Sequence, residues 1–285
     1  MELKSNQKSA LDKGKESRGI NDRYLFLIGG GENGRSGHQY ETGIIDCSIL
    51  ELCNKKKPTI TYIGVNSTFA EYYFFVLKNI FVKKYGCTMF RITLDDILAK
   101  EPARQKLLNS DIVYIGGGSS KQLLTVFQSY GFDKLLYEQY KKNLICGGIC
   151  AGAHCWGNIM LTRTEIEAEQ STQTVCFDAL NGFGWVDLLF CPHYNVELDR
   201  AEAFRNYIKN ENGKVAIACD NGVALIIKNE KSLRIVTSIP NAKVRLLYWN
   251  KEKLSQLYLS ENQEYDLKKD LLEYVHHKRS YVDVL

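Results

Sequence analysis

The sequence has no strong excess of charge of either sign. Its 37 Lys and Arg residues against 33 Asp and Glu residues leave a formal net charge of +4. A charge this small does not point to nucleic acid or to an acidic membrane surface. No segment is long and apolar enough to span a bilayer, and residues 1–22 lack the apolar run of a signal peptide. We therefore expect neither a nucleic-acid partner nor a membrane.

The sequence also lacks the cysteine pattern of a disulfide framework or a zinc site. Its nine cysteines are an odd number in a long chain of 285 residues, and no C-x-x-C pair is present. Internal repeats and low-complexity tracts are absent too. Free thiols fit a reducing compartment, so we expect a cytoplasmic protein that holds no metal.

Apolar strands alternate with amphipathic helices over the first 160 residues or so, which predicts a three-layer α/β sandwich with a mostly parallel central sheet. From Val215 onward, short apolar runs at hairpin spacing, with Asp220–Gly222 as a turn, predict an antiparallel extension of the same sheet. We expect a disordered or arm-like leader over 1–22, a single α/β domain over 23–250, and a C-terminal helical extension over 251–285 packed on that domain.

The most informative stretch is the small-residue turn around Cys150, which reads Gly148-x-Cys150-x-Gly152 after an apolar run. This pattern is typical of a nucleophile elbow, a sharp strand-to-helix turn whose flanking residues must be tiny. The following helix would favour a thiolate, and the amide of Ala151 would face an oxyanion. A buried structural cysteine in a glycine-rich turn is the competing interpretation, and the five residues alone do not decide between them.

A thiolate nucleophile needs a base, and His193 is the best placed of the five histidines. It follows an apolar run stopped by Pro192, so it should emerge at the carboxyl end of a strand. His154 would sit against the edge of the sheet. Gly117, in the triple-glycine turn after another strand, is a candidate for the second oxyanion donor. The residue that orients the base stays open from the residues alone; the candidates are Glu165, Glu167, Glu169, Asp187, Asn195, Glu197 and Asp220.

Two other kinds of site fit parts of the sequence. Gly29 to Gly34 satisfies the dinucleotide pattern G-x-G-x-x-G, with Glu51 as a ribose acid, but helical spacing begins only near His38. A metal could be bound by Cys150, His154, Cys155, Cys191 and His193, although two of these ligands would lie inside the elbow. We expect no cofactor and no metal.

Taken together, these motifs resemble the peptidase E family, which includes aspartyl dipeptidase and cyanophycinase. The resemblance runs from about Tyr24 to Trp249. Its marks are Ile28–Glu32, Gly116–Gly118 with Leu123 and Leu124, Gly148–Trp156, Phe177–Asn181, Cys191–Tyr194 and Asp220–Leu225.

The resemblance implies a fold like flavodoxin or the class I glutamine amidotransferases, with Cys150 and His193 as catalytic residues. It places oxyanion donors at Gly117 and Ala151 and the third catalytic residue at Glu165. It also implies that Arg200, or less well Arg205, binds an acidic substrate. Ser119 and Asn195 are the further substrate contacts that we expect.

The chain departs from the family at two positions. The family nucleophile is serine, whereas this chain has Cys150, and relatives with the C-P-H-Y motif carry aspartate where this chain has Asn195. A cysteine in this elbow is what class I glutamine amidotransferases use, but they carry glutamate at the position of Asn195.

The sequence therefore predicts a cysteine-dependent hydrolase of small peptides or amides that prefers an acidic, aspartyl residue. One alternative is an amidotransferase, or an acyl or peptidyl transferase, in which an amine resolves a Cys150 thioester. A second is a non-catalytic relative that binds a ligand. A homodimer is the oligomeric state that we consider beside a monomer.

Overall fold

The computed structural model describes residues 19, 21–165, 175–211, 214–250 and 253–280. The leader predicted over 1–22 lies almost entirely outside these residues. No helix in the described part of the chain combines the length and apolarity needed to cross a membrane.

The described part of the chain contains fourteen β-strands, and eight of them form a large central sheet. The strands are β1 (Tyr24–Ile28), β2 (Thr59–Ile63), β3 (Thr88–Ile92), β4 (Ile112–Ile115), β5 (Ile145–Ile149), β6 (Ile159–Glu165), β7 (Val175–Asn181), β8 (Leu189–Cys191), β9 (Ala216–Cys219), β10 (Val223–Lys228), β11 (Ser232–Thr237), β12 (Val244–Asn250), β13 (Lys253–Leu259) and β14 (Glu264–Asp266). The central sheet has the order β14-β11-β10-β1-β5-β4-β2-β3. Its strands β1 to β5 are mutually parallel, whereas β10 pairs with β1 in the antiparallel sense. This confirms the predicted mostly parallel sheet.

Helices lie on both faces of this sheet. The described part of the chain contains nine α-helices and two π-helical segments. They are α1 (Gly43–Cys53), α2 (Ala70–Lys78), which continues as a π-helical segment (Asn79–Lys84), α3 (Leu94–Ala99), α4 (Glu101–Leu108), α5 (Ser120–Ser129), α6 (Phe132–Tyr140), α7 (Ala151–His154), α8 (Leu198–Tyr207), a second π-helical segment (Leu267–Leu272) and α9 (Glu273–Ser280).

Strand β1 explains the layering. All five of its residues are buried, as expected of a parallel strand covered on both faces. Phe26 and Ile28 pack in one apolar cluster with residues of α1, while Leu25 and Leu27 belong to the opposite cluster with residues of α5 and α6. Since side chains alternate along a strand, one strand contributes to two cores.

The prediction that all late strands extend the central sheet is wrong in part. Strands β10, β11 and β14 do extend it, but β9 and β12 pair with β8 and β13 in a separate four-stranded sheet. Asp220 helps to fix this pairing, because it accepts hydrogen bonds from the backbone of Lys243 (3.0 Å) and from Arg245 (2.6 Å). Hairpin spacing identifies such strands without revealing their partners.

The second sheet packs on the central sheet, since its Phe190, Ile217 and Leu246 share a cluster with Leu25 and Leu27. The prediction of a helical extension over 251–285 is also wrong in part. Strand β13 pairs with β12, β14 pairs with β11, and helical structure begins only at Leu267. A short apolar run such as Leu254 to Leu259 fits helix and strand spacing equally, so only its partner decides.

Candidate active site

Four chain segments meet at the carboxyl ends of the parallel strands. They are the glycine turn after β1, the glycine turn after β4, the turn after β5 with Cys150, and the turn after β8 with His193. Open α/β sheets place their ligands at this edge.

Cys150 lies between β5 and α7 with a strained backbone, at φ 56° and ψ −117°. A positive φ is unusual for a residue other than glycine and is typical of a nucleophile elbow. The residues two positions before and two positions after Cys150 have to be glycine. A Cβ atom on Gly148 would lie 2.1 Å from the carbonyl oxygen of Ile115, and one on Gly152 would lie 2.2 Å from the same atom.

His193 is held beside Cys150 by the backbone and by Asn221. It also has a positive φ of 56°, and its N–H donates to the carbonyl of Gly29 at 2.7 Å. The ring Nδ1 lies 2.7 Å from Oδ1 of Asn221. Because an amide oxygen only accepts, Nδ1–H is the donor and Nε2 is left for the sulfur.

The electrostatics of the two side chains favour a charged pair. Burial raises the pKa of the partly exposed Cys150 thiol, but the hydrogen bond and positive charge of His193, together with Arg200, outweigh burial and lower it. Burial acts to lower the pKa of His193, yet its interactions with Cys150 and Asn221 raise it. Each partner thus stabilises the ionised form of the other, as thiolate and imidazolium.

Gly30 leaves the room that His193 and Asn221 occupy. A Cβ atom on Gly30 would lie 2.2 Å from Oδ1 of Asn221 and 2.3 Å from Nδ1 of His193. Asn221 is fixed from its other side, because its backbone N–H donates to the Asn195 side chain at 2.9 Å. The side chains of His193 and Asn221 are therefore packed against the glycine turn after β1, and Asn195 in the turn after β8 supports Asn221.

Gly117 and Ala151 are both next to Cys150. A Cβ atom on Gly117 would be 3.1 Å from Cβ of Cys150, and Ala151 is the first residue of α7. Among the described residues, no backbone hydrogen bond uses the N–H of either residue. The buried Asn66 holds the glycine turn, since it donates to the carbonyl of Gly116 (3.2 Å) and accepts from the N–H of Ser119 (2.9 Å).

Three more of the predicted site residues have the following positions and contacts. Glu165 is the last residue of β6, and its side chain lies outside the described residues. Ser119 is exposed and caps α5 by accepting from the N–H of Gln122. Asn195 contacts the backbone of Asn221 and so supports the partner of His193. The side chain that contacts Nδ1 of His193 is Asn221.

Arg200 lies near Cys150 in the first turn of α8 but is already paired. Its Nε donates to Glu197 and its Nη1 to the carbonyl of Leu161, both at 2.6 Å. Glu197 in turn belongs to the turn of His193, because its N–H donates to the carbonyl of His193. Arg205 lies a turn further along α8, where it donates to the hydroxyl of Tyr194 at 3.2 Å.

The remaining motifs have structural roles. Burial lowers the pKa of His154 to about 3, so its neutral ring accepts a bond from the N–H of Leu161. The helix expected from His38 begins only at Gly43. The residues before it form a loop, in which the N–H of Glu41 donates to the carbonyl of Glu32 and the N–H of Glu32 donates to the Glu41 carboxylate. The G-x-G-x-x-G turn thus lacks the helix start that would bind a pyrophosphate.

A cavity of about 350 Å³ opens beside Cys150, at the small end of the range for ligand sites. Cys150, His193, Asn221 and Gly117 line it together with several aromatic side chains. Two charged residues, Glu32 and Arg35, also line it and form an ion pair.

Sequence reasoning missed Asn221. It interpreted Asp220–Gly222 as a hairpin turn, whereas β9 and β10 lie in different sheets and the turn carries the chain between them. The signal was present, since the same segment is one of the marks of the family resemblance. Only the pairing of the strands shows that this turn meets the turn of His193.

The sequence was compared with protein families and with curated proteins. Residues 25–235 match the model of peptidase family S51. The chain is 24% identical over 219 residues to an uncharacterized peptidase, YgaJ, of Bacillus subtilis (strain 168), a match that covers 75% of this chain and 89% of YgaJ.

Two solved structures have a similar fold. A peptidase from an acI-B1 Actinobacterium superposes with a TM-score of 0.62 at 18% identity, covering 87% of this chain and 98% of that protein. A peptidase E candidate from Listeria monocytogenes EGD-e superposes with a TM-score of 0.51 at 18% identity, covering 84% and 100%.

Proposed function

Because this chain belongs to peptidase family S51 and is a peptidase, we propose that it cleaves small peptides with Cys150 as its nucleophile. His193 is the general acid and base, and Asn221 is the residue that orients it. The observation that carries this proposal is the strained backbone of Cys150 beside a histidine that lowers the pKa of its thiol. Cysteine, histidine and asparagine also form the catalytic set of papain-like proteases on an unrelated fold.

The proposed reaction begins with attack of the Cys150 thiolate on the scissile carbonyl carbon. The N–H groups of Ala151 and Gly117 stabilise the oxyanion. Nε2–H of the His193 imidazolium gives its proton to the departing amine, so the C–N bond breaks and an acyl-thioester remains. His193, now neutral, takes a proton from water, and the resulting hydroxide displaces the thiolate. The hydrogen bond from Nδ1–H to Asn221 keeps Nε2 directed at these atoms throughout.

The preference for an acidic residue and transfer to an amine both stay predictions. The acidic preference depends on Arg200, which lies near the sulfur but is paired with Glu197. Transfer depends only on the thioester, which amines attack more readily than water does. The following experiment tests both predictions.

The test is mass spectrometry of products from a panel of short peptides that vary next to the scissile bond and include aspartyl peptides. We expect cleavage by the native protein and its loss in C150A. Incubation with glycinamide as an added amine separates hydrolysis from transfer, because transfer gives an amide product of greater mass.

Cys176→Ala is the matched control, since Cys176 is another partly exposed thiol. It should leave cleavage unchanged. Cleavage that persists in C150A with the same product pattern would rule out Cys150 as the nucleophile.

A further inference from the structure

We propose that the cavity beside Cys150 binds a large apolar or aromatic side chain of the substrate. This inference rests on the proposed function, because it takes Cys150 as the attacking group. It concerns which residue of the peptide lies next to the bond that is cut.

One wall of the cavity is an apolar stripe on α2. Phe69, the residue just before α2, lines the cavity together with Tyr73 and Leu77 of that helix. The three follow one another at intervals of four residues. Residues at this spacing lie on one face of a helix. Helix α2 therefore presents an apolar stripe to the space beside Cys150.

A second part of the lining consists of buried side chains from the central sheet, namely Tyr62, Tyr114 and Ile149. Tyr62 is fixed in place because its ring stacks on Phe74 with centroids 6.2 Å apart. Its hydroxyl fits between two glycines, since a Cβ atom on Gly64 or Gly116 would lie 2.5 Å from that oxygen. This part of the lining is preformed, which reduces the entropy lost on binding.

Two of the most exposed apolar side chains belong to segments that form the site. Of the large apolar side chains that the structure describes, the three most exposed are Leu198 (71%), Phe69 (66%) and Val196 (56%). Phe69 lines the cavity, and Val196 belongs to the turn of His193, to whose carbonyl its N–H donates. Phe69 and Val196 would therefore add apolar contact area for a ligand bound at the site.

The arginines near the site are neutralised by partners. Nε of Arg35 donates to Glu32 at 2.7 Å, and Nε of Arg200 donates to Glu197 at 2.6 Å. In each case the glutamate lies three residues before the arginine. An acidic substrate side chain would have to compete with these glutamates, whereas an apolar one only displaces water from the aromatic walls.

The test uses the reversible addition of peptide aldehydes to Cys150, which needs no turnover. The thiolate adds to the aldehyde carbon and the oxygen takes a proton, so bound aldehyde protects Cys150 from iodoacetamide. N-acetyl aldehydes of phenylalanine, leucine, alanine and aspartate are compared by mass spectrometry of the Cys150 peptide. We expect the phenylalanine and leucine compounds to protect at concentrations about 10- to 100-fold lower than the other two.

Two variants test whether the preference for an apolar side chain arises in this cavity. Phe69→Ala and Tyr73→Ala should each weaken protection by the phenylalanine compound about 10-fold and leave the alanine compound unchanged. Phe90→Ala is the matched control, because Phe90 is also an exposed phenylalanine, at 40%, and does not line the cavity. It should change neither value. Phe69 is so exposed that its removal should not affect folding.

Stronger protection by the aspartate compound, or no protection by any compound while iodoacetamide still labels Cys150, would overturn this inference and leave the peptidase proposal intact. A Cys150 that iodoacetamide does not label would instead count against the proposed function itself.

Discussion

At the scale of single residues, the site differs from a carboxylate-based triad because the partner of His193 is neutral. Asn221 accepts one hydrogen bond from Nδ1–H but adds no negative charge. The imidazolium is stabilised mainly by the Cys150 thiolate, then by the hydrogen bond to Asn221, and Glu197 adds a smaller contribution. The role of Asn221 is thus to fix the tautomer and the orientation of the ring.

This role predicts how two variants of Asn221 differ. Asn221→Ala should lower kcat about 10- to 100-fold, because Nδ1–H loses its acceptor and the ring can turn away from the sulfur. Asn221→Asp keeps an acceptor and adds a charge, which raises the pKa of His193 further. The kcat of this variant should stay within a few-fold of the wild-type value, and the alkaline limb of its pH profile should move to higher pH. Steady-state kinetics across pH measures both effects.

Equal losses of kcat in the two variants, with no movement of the alkaline limb, would show that Asn221 does not act through the ring of His193. Asn195→Ala provides a graded comparison, because Asn195 contacts only the backbone N–H of Asn221. It should cause a smaller loss than Asn221→Ala.

The charged pair of Cys150 and His193 predicts selective alkylation. The pKa of Cys150 is lowered, whereas burial raises the pKa of Cys47. Iodoacetamide reacts with thiolates, so at about pH 7 it should label Cys150 well before Cys47. Mass spectrometry of the labelled peptides over a pH series gives the midpoint for each thiol.

His193→Gln is the control for this prediction, because it removes the positive charge and keeps a polar side chain. The labelling midpoint of Cys150 should move to higher pH in this variant, while that of Cys47 stays in place. An unchanged midpoint for Cys150 would mean that His193 does not lower its pKa.

At the scale of elements, the loop between β1 and α1 depends on a buried carboxyl group. The hydroxyls of Tyr40 and Thr42 donate to Oδ2 of Asp46 at 2.5 and 3.0 Å. Oδ1 of Asp46 is buried without a hydrogen-bond partner among the described residues. Burial raises the pKa of Asp46 to about 6, although the hydrogen bonds act to lower it. The loop that carries Glu32 and Arg35 is therefore tied to α1 by a group that titrates above the usual range.

Because of Asp46, we expect the folded protein to lose stability as pH rises. Its pKa is about 6 in the folded protein and about 3.9 in the unfolded chain, so the folded state holds the proton more tightly. The contribution of Asp46 to the free energy of unfolding is complete below about pH 4 and is lost as pH rises to about 6. Asp46→Asn cannot titrate and should remove about 1 to 3 kcal/mol of this pH dependence.

Urea unfolding of the two proteins at several values between about pH 4 and 8 measures the difference. The exposed Asp95 is the matched control, and Asp95→Asn should leave the pH dependence unchanged. If the free energies of unfolding of wild type and Asp46→Asn run parallel across this range, Asp46 titrates normally.

Local patterns in the sequence predicted much of the first 160 residues and of the site. The alternation of apolar strands with helices, and the glycines beside Cys150, follow from short-range geometry that any such turn requires. The pairing of the late strands does not follow from short-range geometry. The sequence pattern of β9 and β10 predicts one hairpin around Asp220–Gly222, although the two strands lie in different sheets. Asn221 was missed for the same reason, since its contact with His193 spans 28 residues of sequence and two sheets.

At the scale of the whole molecule, the site joins the two sheets. Cys150 follows a strand of the central sheet, His193 follows a strand of the second sheet, and Asn221 lies in the turn that connects them. Residues of both sheets also share one apolar cluster. We therefore predict that both sheets unfold together, as a single domain.

The ion pair of Asp220 and Arg245 tests this coupling. The two side chains are buried or nearly so, at 7% and 14% exposure, and Asp220 also accepts from the N–H of Lys243. Asp220→Ala would leave a buried arginine without its partner and should lower the free energy of unfolding by about 3 to 5 kcal/mol. Asp187→Ala, which breaks an exposed pair with Lys214, should cost at most about 1 kcal/mol.

Urea titrations followed by tryptophan fluorescence and by far-UV circular dichroism distinguish coupled from independent sheets. If the sheets are coupled, both signals of Asp220→Ala shift together to lower urea, because the pair supports the whole unit. Two separate transitions, with only one of them moved, would show that the second sheet folds on its own. Coupling also implies that Asp220→Ala lowers kcat under native conditions, since the turn that it anchors holds the acceptor of His193.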